Sequence, residues 1–157
     1  SEIKMLAIYH TFRNLTMAGL VSFLCFAQIA SAGGHADFNA FGFALVVPEA
    51  NSEEVETVMA SHRKFMNETH SVDGDVNTRL NSYSVIKMPE MNDPTDPSKG
   101  MTGNVISLLS EHYETPQGLA RHMEAGNSWD GIASMMEVIM KYGVAMGAGV
   151  KISAMNR

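Results

Sequence analysis

Residues 104–122 read NVISLLSEHYETPQGLARH, and the stretch changes character once, at Tyr113. Up to Tyr113 it reads as a β-strand. Thr115 and Pro116 then open a helix, because a threonine oxygen can accept a hydrogen bond from an early amide and proline costs nothing at the first helical position. This helix carries Leu119, His122 and Met123 and breaks near Gly126. Downstream, Ser128 reads as the cap of a further helix with Trp129, Ile132, Met135, Met136, Ile139 and Met140 at helical spacing and Gly143 at its C′ position. VAMGAGVKISA (144–154) follows as a last strand.

Upstream, PEMNDPTDPSKG (89–100) is rich in turn residues and reads as a long surface loop or hairpin tip. LNSYSVIKM (80–88) alternates, with Ser82, Ser84 and Ile86 opposite Tyr83 and Val85, which predicts a strand. FNAFGFALVVP (38–48) sets Phe41, Phe43, Leu45 and Val47 against Gly42, Ala44 and Val46, a strand with two unlike faces. Pro48 stops it. Asn51 with Glu54 has the N-x-x-E capping pattern, and Val55, Val58, Met59, Phe65 and Met66 form one helical stripe running to about His70. The intervening SVDGDVNTR (71–79) is polar and turn-rich.

The order strand, helix, strand, strand, broken helix, strand predicts an α+β fold, a ferredoxin-like split βαβ sandwich with a four-stranded antiparallel sheet. Helices on one face leave the other bare. If Phe41 and Phe43 lay on that bare face they would need cover, most economically from a second copy of the same sheet, so a homodimer is expected.

Composition narrows the function. The chain has 157 residues, 45% hydrophobic and 18% charged, which suits one folded domain of ordinary size. Its net charge of -6 would repel a polyanion, which argues against a nucleic-acid partner. The single cysteine, Cys25, excludes an internal disulfide and any CxxC-type zinc site, so a metal would need His and carboxylate ligands. Residues 1–32 resemble a secretory leader: Arg13 precedes an uncharged run from Leu15 to Ala32, which ends in Ala30-Ser31-Ala32, a small-x-small pattern. Cleavage after Ala32 would leave residues 33–157 as the folded domain, exported or periplasmic. A retained segment would make the protein cytoplasmic or, as a surface helix or short anchor, membrane-associated.

The pattern E-x-[aromatic]-x-[S/T] leading from a strand into a helix, with L-x-x-H on its first turns, is carried by Glu111, Tyr113, Thr115, Leu119 and His122. It resembles the signature of the antibiotic biosynthesis monooxygenase (ABM) family of dimeric α+β barrels, and the likeness in element order extends from about Phe38 to Ala154. That family and its relatives include cofactor-free quinol or anthrone monooxygenases, haem-degrading enzymes, polyketide cyclases and stress-responsive proteins. The resemblance implies a monooxygenase-like enzyme without a dedicated cofactor, acting on a small aromatic, quinol or polyketide-like substrate in a sheet-lined pocket. Tyr113 stands where the family more often has Trp, which weakens a haem analogy. The alternative is a noncatalytic dimer that sequesters a small apolar ligand.

Candidate residues follow. His122 could act as a base toward a phenol or 1,3-diketone, or hydrogen-bond Glu111 and lock the strand-to-helix corner. His112 and Tyr113 point to opposite faces, so only one can meet a cavity; Tyr113 could donate to a developing oxyanion, or be an ordinary half-buried aromatic. Asn39 could orient a quinone-like ligand or simply begin its strand. Phe41, Phe43, Tyr83, Glu111 and Trp129 are expected to line the ligand site, although Trp129 also suits a core anchor. Met135, Met136 and Met140 read as core filler. His62 and His70 stand eight apart, too far for one ion, and read as solvated or capping residues. No H-x-x-x-H pair exists, and no metal site is expected. Gly147 and Gly149, with no helix after them, read as a place for close approach of a partner or ligand and not as a phosphate loop.

Overall fold

A computed structural model describes residues 37–71 and 78–153, all within the unit His35–Arg157. The leader-like segment and Cys25 lie outside the described residues. The chain runs β1 (Ala40–Pro48), α1 (Ser52–Thr69), β2 (His70–Ser71), β3 (Thr78–Met91), β4 (Met101–Tyr113), α2 (Pro116–Asn127), α3 (Ile132–Tyr142) and β5 (Gly143–Gly149). The sheet has the order β2-β3-β4-β1-β5. It is a five-stranded mixed sheet in an α+β fold compatible with a ferredoxin-like arrangement. The expected four-stranded, wholly antiparallel sheet is therefore corrected. β3–β4, β4–β1 and β1–β5 pair antiparallel, whereas the short β2 pairs parallel with the start of β3 through His70↔Thr78 and Ser71↔Arg79.

β1 alternates strictly: Phe41, Phe43, Leu45 and Val47 are buried, and Gly42, Ala44 and Val46 are half-exposed. The buried set lies beneath the helices. Phe41 and Phe43 are thus not on the bare face, because burial of the bulkier side chains sets which way a two-faced strand turns. The bare face instead carries Val46, Ile86, Met88, Ile106 and Leu108, placed together by the β1–β4 and β3–β4 registers.

Local signals held in some places and yielded in others. Thr115 accepts from the Gly118 amide at 3.1 Å, with Pro116 in the first turn of α2. Asn51 makes no side-chain cap; a 3-10 turn, Glu49–Asn51, leads directly into α1, and Glu53 and Glu54 supply negative charge at the positive helix end. Ser128 caps the end of α2 and does not start α3, which begins after the turn Trp129–Gly131. Gly143 has extended backbone (φ -66°, ψ 129°) and passes straight into β5, so it is not a left-handed stop. Met140, expected in the core, is 64% exposed, while Met135 is buried. The hairpin β3–β4 reaches further than the alternation suggested. Pro89 is accommodated where the β3–β4 register shifts, between Pro89 and Met91, and where β2, which covers only the first residues of β3, no longer flanks the strand.

Gly42 is required by a close approach: a Cβ there would sit 2.6 Å from the Leu109 carbonyl oxygen. Among the described residues no helix is long and apolar enough to cross a membrane. Leu45 is fully buried at the centre of β1. Leu45→Ala is expected to lower unfolding free energy by about 2–5 kcal/mol in urea melts; a loss below about 1 kcal/mol would contradict this placement of β1.

Candidate functional site

One rung of the sheet carries Phe41, Glu111 and Tyr83 side by side on the helix-covered face. Two residues further along β4, on the same face, stands Tyr113. Glu111 and Tyr113 are both 0% exposed, and a carboxylate so buried demands partners. Its surroundings come from separate parts of the chain. α1 contributes His62, which interrupts the apolar stripe Val55, Val58, Met59, Phe65 and Met66; α2 contributes His122; His70 lies where α1 gives way to β2. All three imidazoles are buried. The Trp129 ring lies beside His62, centroids 5.3 Å apart, and stacks on Phe65 at 5.3 Å.

The contacts converge on the carboxyl group. Tyr113 Oη donates to Glu111 Oε2 at 2.6 Å. His122 Nε2 lies 3.4 Å from Glu111 Oε2, and His62 Nε2 lies 3.7 Å from Glu111 Oε1. Glu111 Oε1 has no hydrogen-bond partner among the described residues.

Donor counting fixes one tautomer chain. The Thr69 hydroxyl gives its only hydrogen to the Phe65 carbonyl at 2.7 Å, so His70 Nδ1, 2.7 Å from the same oxygen, must be the donor of that pair. A neutral His70 then has a bare Nε2, which accepts from His122 Nδ1 at 3.1 Å. A neutral His122 therefore turns an unprotonated Nε2 toward Glu111. His62 is held by its Nδ1 against the Tyr83 hydroxyl at 3.2 Å, which leaves its Nε2 for Glu111.

Burial moves the titrations apart. It pushes Glu111 up to about 7, opposed by the Tyr113 hydrogen bond. It lowers His62 to about 4, helped by the charge His70 would carry. It lowers His70 to about 4, against a pull upward from the Met66 carbonyl. It lowers His122 to about 3, helped by His70 and His62. Burial, with Glu111 adding to it, raises the phenols of Tyr113 and Tyr83, so both remain hydrogen-bond donors.

The expected site residues thus divide. Glu111, Tyr113, His122, Tyr83, Phe41 and Trp129 gather around one point. His112 does not: it lies on the bare face, its Nδ1 2.8 Å from Ser82 Oγ. Asn39 immediately precedes β1, between the ends of β4 and β5, and its side-chain amide donates to the Tyr113 carbonyl. Phe43 lies one inward position further along β1 and packs edge-on against Phe41. The reading of His62 and His70 as solvated is corrected, since both are buried in the cluster. The signal for His62 was its position inside the apolar stripe of α1, where a solvated residue has no place.

Beside the cluster a groove of about 660 Å³ opens between α1 and β3, lined by Met59, Met66, Leu80 and Val85, with Arg63 and Tyr83 among its polar groups. His70 also lines it, so Tyr83 and His70 connect groove and cluster. His122 does not line it. Comparison of the chain with protein-family models, with curated proteins and with solved structures gives no match in any of the three.

The three imidazoles imply acid sensitivity. Between about pH 6.5 and 4 the unfolded chain protonates histidines that the folded chain keeps neutral, so their contribution to stability falls as pH falls. Glu111 acts oppositely, binding a proton in the fold up to about 7, but it is one group against three. Thermal melts are expected to show a lower Tm at pH 5 than at pH 7; an equal or higher Tm at pH 5 would contradict the buried neutral histidines.

Proposed function

We propose that the protein is a small-molecule enzyme of the antibiotic biosynthesis monooxygenase kind, taking an aromatic, quinol or polyketide-like substrate into the groove between α1 and β3. The observation that carries this reading is that an apolar-walled groove meets, at Tyr83, a hydrogen bond into a buried set of titratable groups. A phenol or 1,3-diketone in the open groove loses its acidic proton to solvent water. The carbanion form adds dioxygen as a peroxide, which takes up a proton, and loss of water from that hydroperoxide leaves the new carbonyl, so dioxygen is the oxidant and its second oxygen leaves as water. Tyr83, kept protonated, donates to the developing oxyanion, and Arg63 at the groove supplies positive charge. Tyr83→Phe is expected to lower kcat by about 10²-fold with little change in KM, measured by oxygen consumption with a panel of quinols and anthrones. Unchanged turnover in Tyr83→Phe would remove this role.

One observation favours noncatalytic ligand binding: His70, the imidazole that lines the groove, has both nitrogens engaged. Ligand binding without turnover of any substrate in the panel would select that reading.

The bare sheet face supports a homodimer. Ile86 is 49% exposed, and it shares that face with Val46, Met88, Ile106 and Leu108, an apolar surface suited to a second copy. The double variant Ile86→Lys, Leu108→Lys is expected to sediment as a monomer and the wild type as a dimer; a monomeric wild type would remove the dimer.

A further inference from the structure

We infer that His62, Glu111 and His122 form a binding site for a divalent transition-metal ion of the zinc class. The inference goes beyond the enzyme reading and does not need it.

Geometry comes first. One donor atom from each residue lies within 4.8 Å of the others, and the three residues are held by three different elements, α1, β4 and α2. A tetrahedral ion with bonds of roughly 2.1 Å separates its ligand atoms by about 3.4 Å. His122 Nε2 lies 3.4 Å from Glu111 Oε2 and His62 Nε2 lies 3.7 Å from Glu111 Oε1, so the two imidazoles approach different oxygens of one carboxyl group, and a small inward shift of the donors would close them on one ion.

The donors are also in the right state. The hydrogen of His122 is committed to His70, so the nitrogen facing Glu111 offers a lone pair. Glu111 Oε1 offers another and has no hydrogen-bond partner among the described residues. Lone pairs directed at one another in a buried space call for positive charge between them, either a proton on Glu111 or a metal ion.

The surroundings match what ligand residues require. A metal-bound imidazole is oriented by a hydrogen bond at its other nitrogen, and a bound carboxylate by a donor of its own. His62 has Tyr83, His122 has His70, itself anchored on Thr69, and Glu111 has Tyr113. A protonated Glu111 has one hydrogen and can serve only one of the two imidazoles, whereas an ion engages both. Two imidazoles and one carboxylate, without thiolate, suit zinc and its neighbours over calcium or magnesium, which take oxygen ligands. Three protein ligands leave one position of a four-coordinate ion for water.

The test uses the full chain, stripped with a chelator and titrated with Zn²⁺ by calorimetry and with Co²⁺ by visible absorption and Trp129 fluorescence. Trp129 is the only tryptophan, and its ring lies against His62, so bound cobalt will quench it. One Zn²⁺ per chain, the strong visible bands of four-coordinate Co²⁺ and loss of Trp129 emission are expected. Glu111→Gln keeps the shape of the neutral carboxyl group and should fold, yet weaken Zn²⁺ more than about 100-fold, beyond the usual cost of losing an outer partner. His122→Gln provides a second ligand deletion, and His112→Ala, on the other face, should bind as the wild type does. The site is overturned if the wild type binds no Zn²⁺, if folded Glu111→Gln binds it undiminished, or if Co²⁺ gives only weak six-coordinate bands. Because every readout is binding, a chain that binds zinc but turns over no substrate would overturn the enzyme reading alone.

Discussion

A carboxyl group with no access to water is the constraint around which this protein is arranged. Glu111 sits in the middle of the sheet, under the helices, at a position where an apolar residue would cost nothing. The Tyr113 hydroxyl donates to it, and imidazoles from α1 and α2 turn inward and surround it with polar atoms. Those imidazoles in turn need partners, which they find in Tyr83 and in His70 with Thr69. The polar network is thus a chain of obligations that starts at one oxygen pair and ends at the wall of the groove.

The rest of the fold serves that arrangement. Phe41 and Tyr83 flank Glu111 on its own rung, and Trp129 closes over His62 and Phe65 from the turn between α2 and α3. The helices have to cross this face of the sheet at a separation that lets ring nitrogens approach the carboxylate, so helix packing and site geometry are one problem. No such network appears on the opposite face among the described residues. Its small residues on β1 and its aliphatic residues on β3 and β4 leave it apolar and partly exposed.

Much of the architecture was legible along the chain. The alternation in 38–48 and the Thr115-Pro116 pair located β1 and the start of α2 because both signals are local: strand faces follow from a period of two, and a cap needs only its neighbouring amides. Ser128 misled because the same side chain suits either end of a helix, and the choice fell to the turn carrying Trp129. The short β2 has no signature in the sequence, because a two-residue strand leaves no period to read.

The candidate site was half legible. Glu111, Tyr113 and His122 lie in one segment, and the strand-to-helix turn brings them within reach of one another. Eight residues separate His62 from His70, which argues against an ion shared by those two and not against His62 meeting a ligand from elsewhere. Order along the chain was enough to establish the strands, the helices and which residues share a face, since these depend on short-range backbone periodicity. The arrival of His62 at Glu111 and His122 depended on how α1 packs across β4 beside α2, because residues 49 positions apart are brought together by burial and not by backbone geometry.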